Sequence, residues 1–352
     1  FWSSGLYGKD ADGNAYANRE DAKREAEYQD GGDKRTVYEG GNYAYRLWVQ
    51  SANNTQTRDL IIYDTLENYV IVEENEAIDW EDPDARWKGS FVSVNVDDLV
   101  AAGCDPVVYY CTQDIKVYDV TIAEYDQRWQ NTDLSDSSIW STTLPDDPST
   151  VKAIAVDCST ASTGEDFVLE SGDSVSVIIN MRAPSGTEAR TIIDGDRHAY
   201  NGMSTQSSTK QVSSPIWNEP AFSHQEYTKV GMREFEVPVR KVWDDDNDRD
   251  GLRADHPYAV VRLYQNNMPY VDGEGNYYDI RLDESCDWSG VFTNIPYTDP
   301  EGTEYSYTVR EIDKPDGYTA HYDLMNDAAG TYEVVNVHEP EAVAISGVKS
   351  WS

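Results

Sequence analysis

The stretch Phe235–Asp250, FEVPVRKVWDDDNDRD, decides the fold of the second half of the chain. Read with a period of two, it places Val237, Val239, Lys241 and Trp243 on one face of a predicted strand. A lysine on an apolar face is a contradiction, because a buried ammonium is costly unless it is paired, loses its proton or is consumed by a reaction. The first question about this chain is which of these happens to Lys241.

Five further runs of alternating or β-branched residues follow Lys241, and turns rich in Gly, Pro, Asp and Asn separate them. This pattern predicts an all-β sandwich. The six predicted strands are Phe235–Trp243, Tyr258–Gln265, Tyr277–Leu282, Val291–Asn294, Glu304–Glu311 and Thr331–Val337.

The rest of the chain predicts tandem Ig-like β-sandwich domains, the first with a long insertion that contains a short helix. We expect an N-terminal segment over 1–32 with a helix at Ala17–Tyr28, and a strand-rich domain over 33–210 with a helical insertion at Asn95–Ala102. A linker is predicted over 211–234 and the second sandwich over 235–340. Residues 341–352 repeat its opening strand, with Lys349 in the place of Lys241, and predict the start of a third domain in an excerpt from a longer polypeptide.

The composition excludes several classes of function. The 65 acidic and 28 basic residues give a net charge of −37, which disfavours binding to nucleic acid and to anionic membranes. No apolar run approaches the ~20 residues that a membrane-spanning helix needs. No cofactor motif, metal-ligand spacing or Ser/His/Asp arrangement is evident, so we expect no cofactor, no metal and no enzyme.

The four cysteines do not show a zinc-binding spacing. Cys111 and Cys158 each end an alternating apolar run, which predicts that both lie on inward faces and makes them candidates for a disulfide. Four cysteines allow three complete pairings, and the sequence does not choose among them.

Two other polar residues close apolar stripes in the predicted second sandwich. Glu311 follows Tyr307 and Val309, and Asn336 follows Val334. If both meet Lys241 in the core, desolvation favours a neutral amine and a protonated carboxyl. The amine is then a nucleophile facing a carboxamide, and a Lys–Asn isopeptide bond forms with loss of ammonia. The alternative is a buried or rim salt bridge between Lys241 and Glu311, with Asn336 capping a turn.

Residues 237–337 resemble the collagen-adhesin B-type (CnaB) domains of Gram-positive surface proteins and pili. The matching pieces appear in the family's order: VRKVWDDDNDRDGLR, VVRLYQNN, DWSGVFTNIP, YSYTVREI and YEVVNV. The resemblance implies a small β-sandwich in which the lysine of K-x-W bonds the asparagine of the last strand, assisted by the glutamate of Y-x-V-x-E. Here these residues are Lys241, Asn336 and Glu311. Ala254 departs from the proline usual in the family, in a loop.

The first domain is similar to the A-type and related strand-rich domains found beside B-type domains. The cues are the run Gly41–Val49, IIYDTL at 61–66 and AYNGMST at 199–205. The resemblance implies a second isopeptide bond between Lys34 and Asn201 with Asp64 as helper. The alternative is an exposed Lys34 and an Asn201 in a turn.

Together these observations predict a structural stalk or spacer of an extracellular, cell-wall-associated adhesin or fibrillar protein. Its expected partners are the neighbouring domains of the same chain. The alternative is an adhesive module whose first domain binds a host matrix protein or a glycan, because the insertion Val70–Pro148 holds four tryptophans, Trp80, Trp87, Trp129 and Trp140.

Overall fold

The computed structural model describes residues 34–69, 71–73, 76–78, 86–225, 227–249, 251–325, 330–339 and 346–349. The chain divides into two compact units, Phe1–Arg233 and Glu234–Ser352. The described parts of both units are all-β with a few short helices. None of the described helices is long and apolar enough to cross a membrane.

Unit 1 contains thirteen described strands, which we number in chain order. They are β1 Lys34–Tyr38, β2 Asn42–Gln50, β3 Thr55–Asp64, β4 Ile71–Glu73, β5 Glu76–Ile78, β6 Ser90–Asn95, β7 Val107–Cys111, β8 Ala153–Asp157, β9 Ser174–Arg182, β10 His198–Asn201, β11 Met203–Gln211, β12 Ala221–His224 and β13 Thr228–Arg233.

These strands form a five-stranded sheet in the order β12-β11-β3-β8-β7, two three-stranded sheets, β2-β9-β6 and β1-β13-β10, and the hairpin β4-β5. The described part of unit 1 also contains two α-helices, α1 Asp97–Ala101 and α2 Gly186–Asp194. The predicted insertion helix is therefore present, and the Asn95 Oδ1 atom accepts a hydrogen bond from the N–H of Asp97 at 2.8 Å at its start.

The five-stranded sheet of unit 1 is buried on both faces. One face contributes Ile154, Val156 and Cys158 to the main core, and the other face contributes Ala153 and Ala155 to a second cluster. Tyr63, Cys111, Val117 and Trp140 complete that second cluster, which the segment 112–150 covers. This segment carries two short 3-10 turns, Tyr125–Arg128 and Pro148–Thr150.

Unit 2 is a two-sheet sandwich with eight described strands. They are β14 Val237–Asp244, β15 Tyr258–Gln265, β16 Met268–Pro269, β17 Asp279–Asp283, β18 Ser289–Phe292, β19 Tyr307–Glu311, β20 Thr319–Leu324 and β21 Tyr332–Val337. One sheet has the order β18-β14-β21-β20, and the other places β15 between β19 and the pair β16 and β17. Two 3-10 turns, Leu252–Asp255 and Glu284–Cys286, lie in its loops.

Alternation explains the core of unit 2. Val237, Val239 and Lys241 are buried on β14, whereas Arg240 between them is exposed. Val261 and Leu263 on β15 and Val309 on β19 face them across the sandwich. The face predicted from the period of two is therefore the face that is buried.

The structure differs from the expected domain boundaries at three places. Residues 211–234, predicted as a linker, contain β12 and β13, which pair with strands of unit 1. The predicted helix at Ala17–Tyr28 lies outside the described residues. Of the predicted strand over 341–352, the structure describes only 346–349, which form no strand.

Candidate functional site

Three strands of unit 2 position the predicted reactive side chains. β14 pairs in parallel with β21, with Lys241 opposite Val334 and Trp243 opposite Asn336. Lys241 and Asn336 therefore lie on the same face of one sheet, one diagonal step apart. Glu311 ends β19 in the facing sheet, where it pairs with Val261 of β15. The amine and the carboxamide thus come from one layer and the carboxyl from the other.

The three side chains lie together in the core. The Lys241 Nζ atom is 3.6 Å from Glu311 Oε2, and both side chains are fully buried. Asn336 is also fully buried. The amine otherwise contacts only backbone carbonyls among the described hydrogen-bond acceptors, those of Val242 and Val334, each at 3.4 Å. Both contacts are long for an ammonium group. The protein therefore replaces only part of the hydrogen bonding that water would give this amine.

Burial shifts both titrating groups toward their neutral forms. Desolvation lowers the pKa of Lys241 to about 8, although Glu311 and Asp245 oppose the shift. Desolvation also raises the pKa of Glu311, against the opposing effects of Lys241 and Asn336. These directions are the ones that a neutral amine beside a protonated carboxyl requires.

Four polar atoms at this site lack ordinary hydrogen bonds. Within the described residues, neither carboxyl oxygen of Glu311 and neither carboxamide atom of Asn336 has a partner of normal length and angle. The two side chains are still close enough for Asn336 to lower the pKa of Glu311. Buried polar groups are almost always satisfied in folded proteins, so such a cluster requires an explanation.

Asp245 is a further buried acid beside this site that the sequence analysis missed. It is 2% exposed, accepts a hydrogen bond from the Tyr318 hydroxyl at 2.8 Å and lies 2.9 Å from the Arg253 Nε atom. The Lys241 Nζ atom is 4.3 Å from the ring centroid of Trp243. Continuing the period of two beyond Trp243 reaches Asp245, so the same alternation could have found it.

Unit 1 brings together two of its three predicted reactive residues. The Asn201 Nδ2 atom donates to Asp64 Oδ2 at 2.7 Å, and both residues are buried. Asn201 Oδ1 accepts from the N–H of Glu67, also at 2.7 Å. Burial is the main cause that raises the pKa of Asp64 to about 7, and the hydrogen bond from Asn201 opposes it. The carboxyl group of Asp64 therefore titrates near neutral pH.

Glu67 is a second buried acid of this cluster, and sequence reasoning did not identify it. Its carboxyl accepts hydrogen bonds from the hydroxyls of Tyr43 at 2.5 Å and Tyr45 at 2.7 Å, and from the N–H of Gly89 at 2.6 Å. Burial raises its pKa, and these hydrogen bonds oppose the shift. Glu67 has a φ of 66°, in a turn that shows no alternation, so no local pattern predicted its burial.

Lys34 is described only by its backbone. β1 pairs Lys34 with Lys229, and β10 pairs Tyr200 with the same Lys229. The position of Lys34 therefore shares a sheet face with Tyr200, and Asn201 follows on the alternate face. This register does not place Lys34 and Asn201 on one face, and their bond stays a prediction.

The cysteine expectation requires a correction. Cys111 lies opposite Ala153 in the β7–β8 pair, five residues along the chain from Cys158, and the two cysteines belong to clusters on opposite faces of the sheet. Both are buried as predicted, but a disulfide needs Cα atoms within about 7 Å. Cys104, unlike Cys111, belongs to the same hydrophobic cluster as Cys158.

The tryptophans of the insertion have different environments. Trp87 and Trp140 are buried, Trp129 is half-buried, and Trp80 lies outside the described residues. The Trp129 ring stacks on Phe222 with centroids 4.8 Å apart.

A family model described as Cna protein B-type domain matches residues 237–337. A curated relative, the collagen adhesin of Staphylococcus aureus, is 36% identical over 118 residues, which are 34% of this chain and 9% of that protein. The chain therefore spans less than a tenth of the length of this relative.

Among solved structures, two B repeat units of the collagen-binding protein of Staphylococcus aureus match at 26% identity and a TM-score of 0.26, over 34% of this chain and 33% of that one. BcpA, the major pilin subunit of Bacillus cereus, matches at 11% identity and a TM-score of 0.28, over 87% and 67%. The fold described above rests on strand pairing and not on these superpositions. The matched motifs and the sandwich formed by β14–β21 agree, and residues 237–337 are a Cna protein B-type domain.

Proposed function

We propose that Lys241 and Asn336 form an intramolecular isopeptide bond with Glu311 as the acid, and that the chain is a structural segment of a cell-surface adhesin or fibrillar protein. The observation that carries this proposal is the burial of an amine, a carboxyl and a carboxamide in one core, with four of their polar atoms lacking ordinary hydrogen bonds. The reaction consumes the buried charge and removes the contradiction noted at Lys241.

The proposed reaction balances without a cofactor. The neutral Nζ atom of Lys241 attacks the Cγ atom of Asn336, while the protonated Glu311 donates a hydrogen bond to the carboxamide oxygen. The carboxyl group then carries a proton from the attacking nitrogen to the departing one. The Cγ–Nδ2 bond breaks, one ammonia leaves and an amide joins β14 to β21. The chain reacts once with itself and does not turn over a substrate.

A structural role agrees with what the relatives are. The matching part of the relative belongs to a protein named collagen adhesin. We infer from this that the segment lies outside the cell and separates or supports neighbouring domains of the same chain. Because the bond joins the first and last strands of unit 2, the domain would resist both unfolding and proteolysis.

Mass spectrometry tests the bond directly. The full chain should be lighter than its sequence mass by one ammonia for each bond, about 17 Da. A succinimide at an asparagine gives the same loss, so the sample must also be digested and searched for one peptide pair joined through Lys241 and Asn336. Lys241→Ala and Asn336→Ala should abolish the pair, and Glu311→Ala should abolish or greatly slow its formation.

Two matched substitutions serve as controls. Lys349→Ala removes the lysine of the repeated motif, and Asn294→Ala removes an exposed asparagine of unit 2. Both should keep the cross-linked peptide. A wild-type chain at its full sequence mass, or an ammonia loss without any joined peptide, would refute the proposal.

The same measurement counts a second bond. If Lys34 and Asn201 also react, with Asp64 as helper, the wild-type chain loses two ammonias and Asn336→Ala still loses one. The hydrogen bond between Asp64 and Asn201 supports this second bond, and the strand register of Lys34 does not.

An aromatic row favours ligand binding by unit 1 as a second candidate function. Tyr118 stacks on His224 with centroids 4.2 Å apart, Tyr69 stacks on the same ring at 5.0 Å, and Trp129 stacks on Phe222. These rings are half-buried, and partly exposed aromatic rings beside polar groups are typical of binding sites for sugars. We infer a glycan as the ligand.

A glycan array with the full chain tests this second function. Trp129→Ala should lose any binding that the wild type shows, and Trp217→Ala, which removes another half-buried tryptophan of unit 1, should keep it. No binding by the wild type, or equal binding by both variants, would leave only the structural role.

A further inference from the structure

Cys104 and Cys158 are neighbours in the main core of unit 1. Cys104 follows helix α1, where its N–H donates to the carbonyl of Leu99 at 3.0 Å. It forms an isolated antiparallel β-bridge with Ala161. Cys158 follows β8, and its N–H donates to the carbonyl of Leu60 at 2.8 Å. The two residues are 2% and 0% exposed and belong to one hydrophobic cluster, and each side chain shifts the pKa of the other.

We propose that Cys104 and Cys158 form a disulfide when the protein meets a disulfide oxidant. Backbone hydrogen bonds already hold the two segments together, since Asp105 N–H donates to Thr160 and Ser162 N–H donates to Gly103. Of the other cysteines, Cys111 lies on the opposite face of the sheet and Cys286 is exposed in unit 2. The structure thus selects one pairing from those that the sequence left open.

The oxidation is a two-step exchange with a low-molecular-weight disulfide such as oxidised glutathione, and it takes place during folding, before the core covers the two thiols. The thiolate of Cys104 attacks one sulfur of the oxidant and releases one thiol. The thiolate of Cys158 then attacks the Cys104 sulfur and releases the second thiol. Two protein thiols lose two electrons and two protons, and one oxidant disulfide is reduced to two thiols.

The cross-link would join the chain before and after the segment 112–150, which covers the second cluster. Everything from Asp105 to Asp157 lies between the two sulfurs, including β7, β8 and the covering segment 112–150. Described residues of 112–150 form turns rather than paired strands, apart from isolated bridges. A disulfide there limits the unfolded chain over more than fifty residues by sequence count, which stabilises the folded segment. A redox-dependent bond would then stabilise the segment 112–150, which has little strand pairing of its own.

Thiol counting on the full chain tests this inference. The purified protein is reduced and unfolded, refolded in reduced and oxidised glutathione, acid-quenched, denatured and alkylated with iodoacetamide. Of the four cysteines, Cys111 and Cys286 should be alkylated, and digestion should yield a peptide pair joined through Cys104 and Cys158. Treatment with a reductant should add two hydrogens to the mass and release that pair. Alkylation of all four cysteines, or a different joined pair, would overturn the inference.

Variants and a stability measurement make the test independent of folding defects. Cys111→Ser, the matched buried control, should keep the joined pair, and Cys104→Ser should leave Cys158 open to alkylation. If Cys104→Ser does not fold, the wild type alone decides the matter: its unit 1 melting temperature should fall by several degrees on reduction, and an unchanged value contradicts the inference. Because reductants do not cleave an amide, the ammonia loss of unit 2 is unaffected in either outcome.

Discussion

At the scale of single residues, burial determines the protonation state of Lys241. An exposed lysine stays protonated at neutral pH, whereas at a pKa of about 8 roughly a tenth of the molecules carry a neutral amine at pH 7. That fraction is sufficient for a reaction that is irreversible once ammonia leaves. In the proposed reaction, the core of unit 2 creates the nucleophile by excluding water, and Glu311 transfers the proton.

The stability of Asn336→Ala should depend on pH in a way that reports Lys241. Without the carboxamide the amine remains, with a folded pKa of about 8 against an ordinary value of 10.5. Between these values the unfolded chain binds more protons, so the free energy of unfolding should rise with pH, by at most ~3 kcal/mol. Urea unfolding at a series of pH values measures this rise. The double variant Lys241→Met, Asn336→Ala should lack it, and an equal rise in both would contradict the assignment.

Glu311 should produce the opposite slope in the same variant. Its pKa is raised from 4.5 by burial, so above pH 4.5 the folded state keeps a proton that the unfolded chain has lost. Stability should therefore fall as pH rises through the folded pKa of Glu311. Adding Glu311→Gln should flatten this part of the urea-unfolding profile, and a profile that keeps its slope would assign the titration to another group.

Asn201→Ala should destabilise unit 1. The substitution removes the donor to Asp64 and the acceptor for the Glu67 N–H, and both groups are buried. Leaving them unsatisfied should cost about 3 kcal/mol. Calorimetry should show a lower unit 1 transition than in Asn180→Ala, which removes an exposed hydrogen bond to Ser93. Equal transitions in the two variants would show that Asn201 does not support this cluster.

At the scale of elements, the site depends on how strands pair. β14 and β21 are parallel neighbours, so residues 95 positions apart by sequence number meet on one face. β19 completes the site from the opposite sheet, at the usual spacing of packed sheets. Neither a single strand nor a single sheet contains all three groups, so the proposed reaction requires the whole sandwich to form.

Gly290 on β18 is a packing constraint of this sandwich. A Cβ atom there would lie 2.9 Å from side-chain carbons of both Ile280 and Leu282. Gly290→Ala in a Lys241→Ala background should lower the free energy of unfolding by roughly 1–3 kcal/mol, because the facing side chains must move. Gly273→Ala, where a Cβ atom meets nothing within 4 Å, is the control for chemical denaturation. A loss that is no larger at Gly290 would contradict the packing argument.

At the scale of the whole molecule, the proposed cross-link determines the response to force. The chain enters unit 2 through β14 and leaves it through β21, and because these strands are parallel, pulling shears them along their length. An amide between Lys241 and Asn336 would transmit the force directly from β14 to β21, so the chain between these residues would not be stretched.

Single-molecule pulling should therefore show no unfolding event for unit 2 in the wild type. Lys241→Ala should add one event that lengthens the chain by roughly 300 Å, the span of the released residues. Lys349→Ala is the control and should behave as the wild type. A unit 2 extension of this length in the wild type would show that no bond joins the two strands.

The sequence by itself determined the fold of unit 2 and which polar residues lie in its core. Side chains alternate across a strand with a period of two, so Lys241, Glu311 and Asn336 could each be assigned to an apolar face from their immediate neighbours. The strand β20 was missed because its residues are mostly exposed and show no apolar face, and α2 was missed although Ala189 and Ile192 have helical spacing.

Only the tertiary structure decided which distant residues meet. Alternation cannot distinguish the two buried faces of the central sheet in unit 1, so it placed Cys111 with Cys158 where the fold places Cys104. It also could not reveal Glu67, which is buried in a turn between strands. The face of a strand is a local property of the sequence, whereas strand order and register arise from packing between segments far apart in the chain.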